Sequence, residues 1–334
     1  MSGSYRKAKH QAAGHDGNFT DAEESLFFKP TTVQEVEFYQ QIQCRDAERT
    51  STDLKLEAWM PVFLGTLEAG VTGKARESSD SEVQSAIAAH TNLIQNEPGP
   101  SPHNKPIIVL ENLLHGYKSP NILDVKLGKT LYDDSASDDK KLRLRKVSQE
   151  TTSGSLGLRI CGMKLQESAA ASTLDEGHYA REDDGYISIN KFYGRGLDAS
   201  NVKSGFELFF GSNSLSVHRR KTLTETFLHR IQLLYNTLLE EEVRMISASL
   251  LLVYEADSDR WDELQDRDAL LRTDFFQDSS DDEEEVEHPS PLSSLSVIDF
   301  AHSRVTTGQG YDENVICGVE SLIEIFDQLC SSFN

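Results

Sequence analysis

The sequence predicts an α+β fold, built as one large domain or two lobes. Strand-like runs lie at 25–29, 107–110, 120–128, 249–255 and 296–302, and runs with a helical period lie at 33–42, 222–245 and 315–326. With 334 residues and 37% hydrophobic content, the chain can bury a substantial core despite a mean hydropathy of −0.47.

Charge narrows the partners. Thirty-three basic and fifty-five acidic residues give a net charge of −22, which argues against direct nucleic-acid binding and stable membrane association. A polyanionic ligand therefore needs a local basic patch. Cys44, Cys161, Cys317 and Cys330 are scattered, with no zinc-type spacing, and read as reduced intracellular thiols. The polar N-terminus and the shortness of every apolar run lead us to expect a soluble cytosolic or nuclear protein.

In chain order, Ser25–Lys29 reads as a short strand ending in a lysine before Pro30. In the helix that follows, Val33, Val36 and Ile42 fall near one stripe with Glu37 and Phe38 beside it, so Glu37 is the expected partner of Lys29. An ordinary surface pair is the rival. Trp59, Met60, Val62, Phe63 and Leu64 surround Pro61 and read as core, whereas residues 70–105 read as a mobile polar insertion. Ile107–Leu110 is a buried strand running into the connector Glu111-Asn112-Leu113.

Pro120-Asn-Ile-Leu-Asp-Val-Lys-Leu-Gly128 is the most informative stretch. A period of two sends Leu123, Val125 and Leu127 to one face and Asp124 and Lys126 to the other. A carboxylate beside an ammonium on a rigid strand suits orientation of a hydroxyl next to a phosphate; a half-buried strand with a solvated charged face has the same spacing. Downstream, Lys140–Lys146 holds five cations and no acid, and on a helix Lys140, Arg143 and Lys146 align at spacings of three. A nuclear-localisation signal or a solvated face has the same composition. Thr222-Leu-Thr-Glu225 is a capping-box pattern for a core helix carrying Phe227, Leu228, Ile231, Leu234, Leu238 and Leu239. Ser249–Glu255 is a buried strand. Asp278–Glu287, with seven acids and no base, reads as a solvated loop within 278–291. In 296–302, read as a strand, Asp299 is a single carboxylate between Ile298 and Phe300, and a closing amphipathic helix follows at 315–326.

Pro120, Asp124, Lys126 and Gly128 match Pro-x-x-x-Asp-x-Lys-x-Gly, and the segment resembles the inositol polyphosphate kinases, most closely the multikinase branch of fungal type. Phe28-Lys29-Pro30, the Glu111-x-hydrophobic hinge, Leu158-Arg-Ile-Cys-Gly-Met-Lys164, Ser249-Leu-Leu and Ile298-Asp-Phe-Ala-His302 follow in the family's order. The resemblance implies a two-lobed, protein-kinase-like or ATP-grasp-like fold. Its N-terminal nucleotide-binding lobe would span 1–113 and its C-terminal lobe 114–334, with a short helical inositol-binding insertion at 129–157.

It further implies ATP and Mg2+ as cofactors and stepwise phosphorylation of inositol 1,4,5-trisphosphate, with Asp124 and Lys126 catalytic. Lys29, Glu111, Leu113, Asp124 and Asp299 are implied at ATP, with Asp299 holding the metal. Lys126, Lys140, Arg143, Lys146, Lys164, Lys191 and His302 are implied at the inositol phosphate. Residence in nucleus and cytoplasm, with transcription-factor or chromatin partners, is implied by the same likeness. An inositol hexakisphosphate kinase and a regulatory scaffold are the alternatives.

Overall fold

The signature stretch forms the third strand of a six-stranded antiparallel sheet. The computed structural model describes residues 5–12, 17–48, 54–67, 105–168, 174–211, 214–271 and 291–333. Most of the insertion expected at 70–105, and of the acidic loop expected at 278–291, lies outside them.

The first half of the chain makes a five-stranded sheet in the order β1-β2-β3-β5-β4. Its strands are β1 (Arg6–Lys7), β2 (Phe19–Thr20), β3 (Leu26–Pro30), β4 (Phe63–Leu67) and β5 (Ile107–Glu111), and helix α1 (Val33–Glu48) follows β3. The large sheet has the order β12-β11-β6-β7-β9-β8. It comprises β6 (Pro120–Leu127), β7 (Leu158–Gln166), β8 (Tyr179–Arg181), β9 (Tyr186–Ile189), β11 (Ser249–Glu255) and β12 (Ser293–Ile298). A third, two-stranded sheet pairs β10 (Val243–Met245) with β13 (Ser303–Val305).

Helices cover one face of the large sheet. Between β6 and β7 lie α2 (Asp138–Gln149) and the single turn α3 (Thr152–Leu156); α4 (Lys191–Gly196), α5 (Val202–Phe209), α6 (Val217–Leu239), α7 (Ser258–Glu263) and α8 (Glu313–Ser331) follow in order. Leu123, Val125 and Leu127 are fully buried in the core that Phe206, Phe227, Ile231, Leu234 and Phe326 share. The alternation read along 120–128 therefore holds.

A β-bulge redirects β7. Val125 pairs with Ile160 but Asp124 pairs with Gly162, leaving Cys161 as the extra residue. Inward-facing positions switch parity there: Leu158 and Ile160 are buried before it, Met163 and Leu165 after it. Arg159 and Lys164, which strict alternation would place on opposite faces, both join the face of Asp124 and Lys126.

Four elements depart from expectation. Helix α6 begins at Val217, where the Ser216 hydroxyl accepts the Arg219 amide at 3.2 Å, so Thr222–Glu225 is helix interior and not a cap. It stops at Leu239, and 243–245 is strand. In α1 the buried stripe is Glu35, Phe38, Tyr39 and Ile42, while Val33 is 61% exposed. Strand β12 ends at Ile298; Asp299 lies outside the ladder in the left-handed region, with φ +67°. No described helix is long and apolar enough to cross a membrane, and all four cysteines are free thiols.

Candidate active site

A cleft lies between the five-stranded sheet and the outer face of β6 and β11. Phe27, Leu110 and Pro61 line it from one side, and Ile122, Leu251 and Ile298 from the other. These apolar surfaces are suited to sandwiching a flat ring. The connector after β5 forms one end. The Asn112 amide donates to the Ser25 carbonyl at 2.8 Å, and the Asn112 side chain donates to the Glu24 carbonyl at 2.6 Å. The Glu111 carboxylate turns away and accepts the Val62 amide at 3.2 Å. The Leu113 amide has no hydrogen-bond partner among the described residues, so this connector can offer a donor to a ring.

The N-terminal stretch closes another side, with His10, Gln11 and Ala12 lining the cleft. It crosses β7 where Gly162 stands: a Cβ there would lie 2.2 Å from the Ala12 carbonyl oxygen. Only glycine permits that approach.

Lys29 enters from β3. Its Nζ is 2.9 Å from Glu35 Oε1 and 2.7 Å from Asp299 Oδ1. Burial alone would lower the Lys29 pKa, but Asp299 and Glu35 outweigh it and raise the value. The glutamate is Glu35 and not Glu37, which is exposed. Glu35 is fully buried; it also accepts the Thr31 hydroxyl, and the Phe300 amide at 2.9 Å. One carboxylate thus fixes the lysine and the backbone beside Asp299. Glu35→Gln keeps the volume but removes the charge and one acceptor. We expect a 10- to 100-fold loss in kcat/KM for ATP together with a drop of about 1–3 kcal/mol in stability. ATP kinetics and thermal melts check it, and unchanged ATP kinetics would remove Glu35 from the site.

Asp124 is 5% exposed, and its Oδ1 has no hydrogen-bond partner among the described residues. Its pKa is pushed up to about 6: burial raises it most, Lys126 pulls it down, and Asp299 pushes it up again. The Lys126 ammonium donates to the Ser247 carbonyl at 2.5 Å. Directly across the ladder from Lys126 stands Arg159, 7% exposed, whose Nε lacks a partner among the described residues. Lys126 and Arg159 therefore form a paired cationic surface beside Asp124, which suits a phosphate. The sequence reading passed over Arg159, although a lone cation between Leu158 and Ile160 was a visible signal.

The remaining cations divide. Lys140, Arg143 and Lys146 lie on α2 as expected, Arg143 and Lys146 exposed, with Lys146 3.8 Å from Glu150. Lys191 is exposed at the start of α4, its Nζ 5.7 Å from the centre of the Phe192 ring. Lys164 differs. It is buried, ion-paired to Glu182, and 3.7 Å from Asp184. Those carboxylates stand to Lys164 as Glu35 and Asp299 stand to Lys29. His302 extends its Nδ1 to Asp133 at 2.6 Å.

No group of three or more His, Cys, Asp or Glu side chains suited to a metal occurs among the described residues. Two carboxylates facing one cleft, one with an orphaned oxygen, nonetheless fit a hard divalent cation that takes its other ligands from phosphates and water.

A family model for inositol polyphosphate kinase matches residues 107–327. The chain belongs to the inositol polyphosphate kinase family. It is 47% identical to the inositol polyphosphate multikinase of Saccharomyces cerevisiae, over 96% of this chain and 98% of that protein. It is 30% identical to the multikinase of Schizosaccharomyces pombe over 96% of each. Human inositol hexakisphosphate kinase 1 is 29% identical over 66% of this chain and 52% of that protein. The crystal structure of the S. cerevisiae multikinase Ipk2 with ADP and Mn2+ superposes with a TM-score of 0.72, at 46% identity, covering 91% of this chain and 99% of that one. The α+β, kinase-like fold of this inositol polyphosphate kinase follows from that match.

Proposed function

We propose that this inositol polyphosphate kinase is an ATP-dependent multikinase that converts inositol 1,4,5-trisphosphate stepwise to tetrakis- and pentakisphosphate. The observation that carries this reading is the common face of Asp124, Lys126 and Arg159 on adjoining strands, with Asp124 lining a cleft whose other wall bears Lys29. Similarity to two multikinases over nearly the whole chain favours it over the hexakisphosphate kinase reading, which rests on two thirds of the chain.

ATP fits the cleft with its base between Leu110 and Ile122, the Leu113 amide donating to the ring and the Glu111 carbonyl accepting from it. Lys29 then meets the phosphates, kept charged by Asp299 and Glu35. Asp299 and Asp124 are the residues to hold Mg2+, which when bound offsets charge on the phosphates. Asp124 is ionised at neutral pH and accepts the hydrogen bond, or the proton, of the attacking ring hydroxyl. Lys126 and Arg159 hold the phosphoryl group in line. Lys140, Arg143 and His302 take the remaining phosphates, with Lys146 and Lys191 at the periphery. Nuclear and cytoplasmic residence and transcription-factor or chromatin partners are proposals on the likeness alone; imaging of a tagged chain tests the first.

The purified chain with ATP, Mg2+ and inositol 1,4,5-trisphosphate, resolved by anion exchange, is expected to give tetrakis- and then pentakisphosphate. A single product would mark a narrower trisphosphate kinase. Pyrophosphates from inositol hexakisphosphate, with trisphosphate untouched, would transfer the assignment to that alternative.

A further inference from the structure

His302 stands three residues beyond Asp299, at the start of β13's approach. Its Nδ1 lies 2.6 Å from Oδ2 of Asp133, 169 residues away in sequence, in the loop that joins β6 to α2. The second oxygen of that carboxylate accepts the Ser135 hydroxyl at 2.6 Å and the Ser135 amide at 3.1 Å. The Asp133 side chain is 8% exposed and that of His302 34%. The acid is thus enclosed while part of the imidazole stays open.

An ionised carboxylate only accepts, so the bridging proton sits on Nδ1, and Nε2 is left to face a ligand. Burial would raise the Asp133 pKa, but the hydrogen bonds from Ser135 and His302 outweigh it and hold the acid below its ordinary value. The loop is anchored elsewhere too. Lys129 and Thr130 amides both donate to Asn314 Oδ1 at 2.8 Å, and the Ser247 hydroxyl donates to the Leu131 carbonyl at 3.0 Å. That same Ser247 receives Lys126 through its own carbonyl.

We infer that Asp133 is a positioning residue for inositol phosphate: it fixes the tautomer and direction of the His302 ring so that Nε2 meets a substrate phosphate. The inference rests on the reading of His302 as a substrate contact. The contact also ties the segment leading into the basic helix α2 to the turn bearing Asp299, so both sides of the substrate site share one register.

A mutant cycle tests it, using wild type, Asp133→Ala, His302→Ala and the double variant, with Asp133→Asn as the conservative change. The readouts are KM and kcat for inositol 1,4,5-trisphosphate, KM for ATP, and melting temperature. Each single alanine variant is expected to lower kcat/KM for the trisphosphate on the order of tenfold, with KM for ATP within about twofold of wild type. The double variant is expected to match His302→Ala, because Asp133 acts through that ring. Asp133→Asn, which still offers an oxygen to Nδ1–H, is expected to recover most of the loss. If Asp133→Ala retains wild-type kcat/KM, or if the two losses multiply, the inference is overturned while His302 keeps its substrate role. If His302→Ala alone changes nothing for the trisphosphate, the reading beneath the inference falls, and the inference with it. Should Asp133→Ala melt too low to assay, Asp133→Leu, which fills the site but offers no acceptor, replaces it in the same cycle: a loss on the order of tenfold that vanishes in the His302→Ala background supports the inference, and no loss, or a loss that persists there, overturns it.

Discussion

Asp124→Asn is expected to abolish phosphoryl transfer and, at the same time, to stabilise the nucleotide-free protein at neutral pH. The first effect follows from position. Asp124 is the acceptor available to a ring hydroxyl beside Lys126 and Arg159, and an amide cannot take its proton, so a loss of about 10²–10⁴-fold in kcat is expected. The second follows from burial. The acid is 5% exposed with one oxygen unpartnered, and its pKa is about 6 against an ordinary 3.8. A raised value in the folded state means that the folded protein holds this proton more tightly than the unfolded chain does. The resulting support for the fold is complete below about pH 4 and is lost as pH rises through 6. Above that the ionised group costs on the order of 3 kcal/mol. Asparagine carries no such charge. Unfolding curves for the two proteins without nucleotide should therefore separate between pH 4 and 6 and stay separated above. A pH-independent gap would contradict the burial argument, and a working enzyme the catalytic one.

Where local pattern and tertiary demand agree, the sequence is readable. Along 123–127, apolar residues at odd positions and charged ones at even positions leave one way to bury the strand, and the structure adopts it. Ser249–Glu255, centred on the apolar run Leu250–Tyr254, has those same limits in the fold. The misreadings have definite causes. Val33 is apolar and Glu35 charged, so hydrophobic periodicity puts the wrong residue inward; Lys29 and the Phe300 amide require a buried carboxylate at 35. Thr222–Glu225 has the letters of a cap, but Ser216 lies earlier and captures the helix start. Asp299 follows a strand pattern yet adopts a left-handed backbone, which aims its side chain back at Lys29.

The rest of the site depends on distant pairing. Arg159 becomes a neighbour of Lys126 through ladder register, and the bulge at Cys161 sends Lys164 to the same face. No local pattern marks that insertion. Lys164 then meets Glu182 and Asp184, which lie in the turn between β8 and β9, so a cation that the resemblance offered to the substrate is matched within the protein. The contact of Asp133 with His302 likewise needs the two segments to be folded together. Identity of residues was legible; their company was not.

Asp299→Asn is expected to lower kcat by about 10³-fold with little change in melting temperature, and the choice of substitution decides what the result means. Asp299 has φ +67°, a conformation that asparagine tolerates and alanine does not, at a cost of about 1–2 kcal/mol for the latter. Asparagine therefore removes charge alone, whereas Asp299→Ala should also melt lower. The lost charge has two consequences. Lys29 keeps Glu35 but loses the partner 2.7 Å away, and the cleft loses one of the two carboxylates suited to a divalent cation. Titrating Mg2+ separates them: activity that recovers at raised Mg2+ assigns the loss to cation affinity, while activity that stays low at saturation, with KM for ATP increased, assigns it to Lys29 and the phosphates. Wild-type turnover at ordinary Mg2+ would remove Asp299 from both roles, since no strain or unfolding in the asparagine variant could mask them.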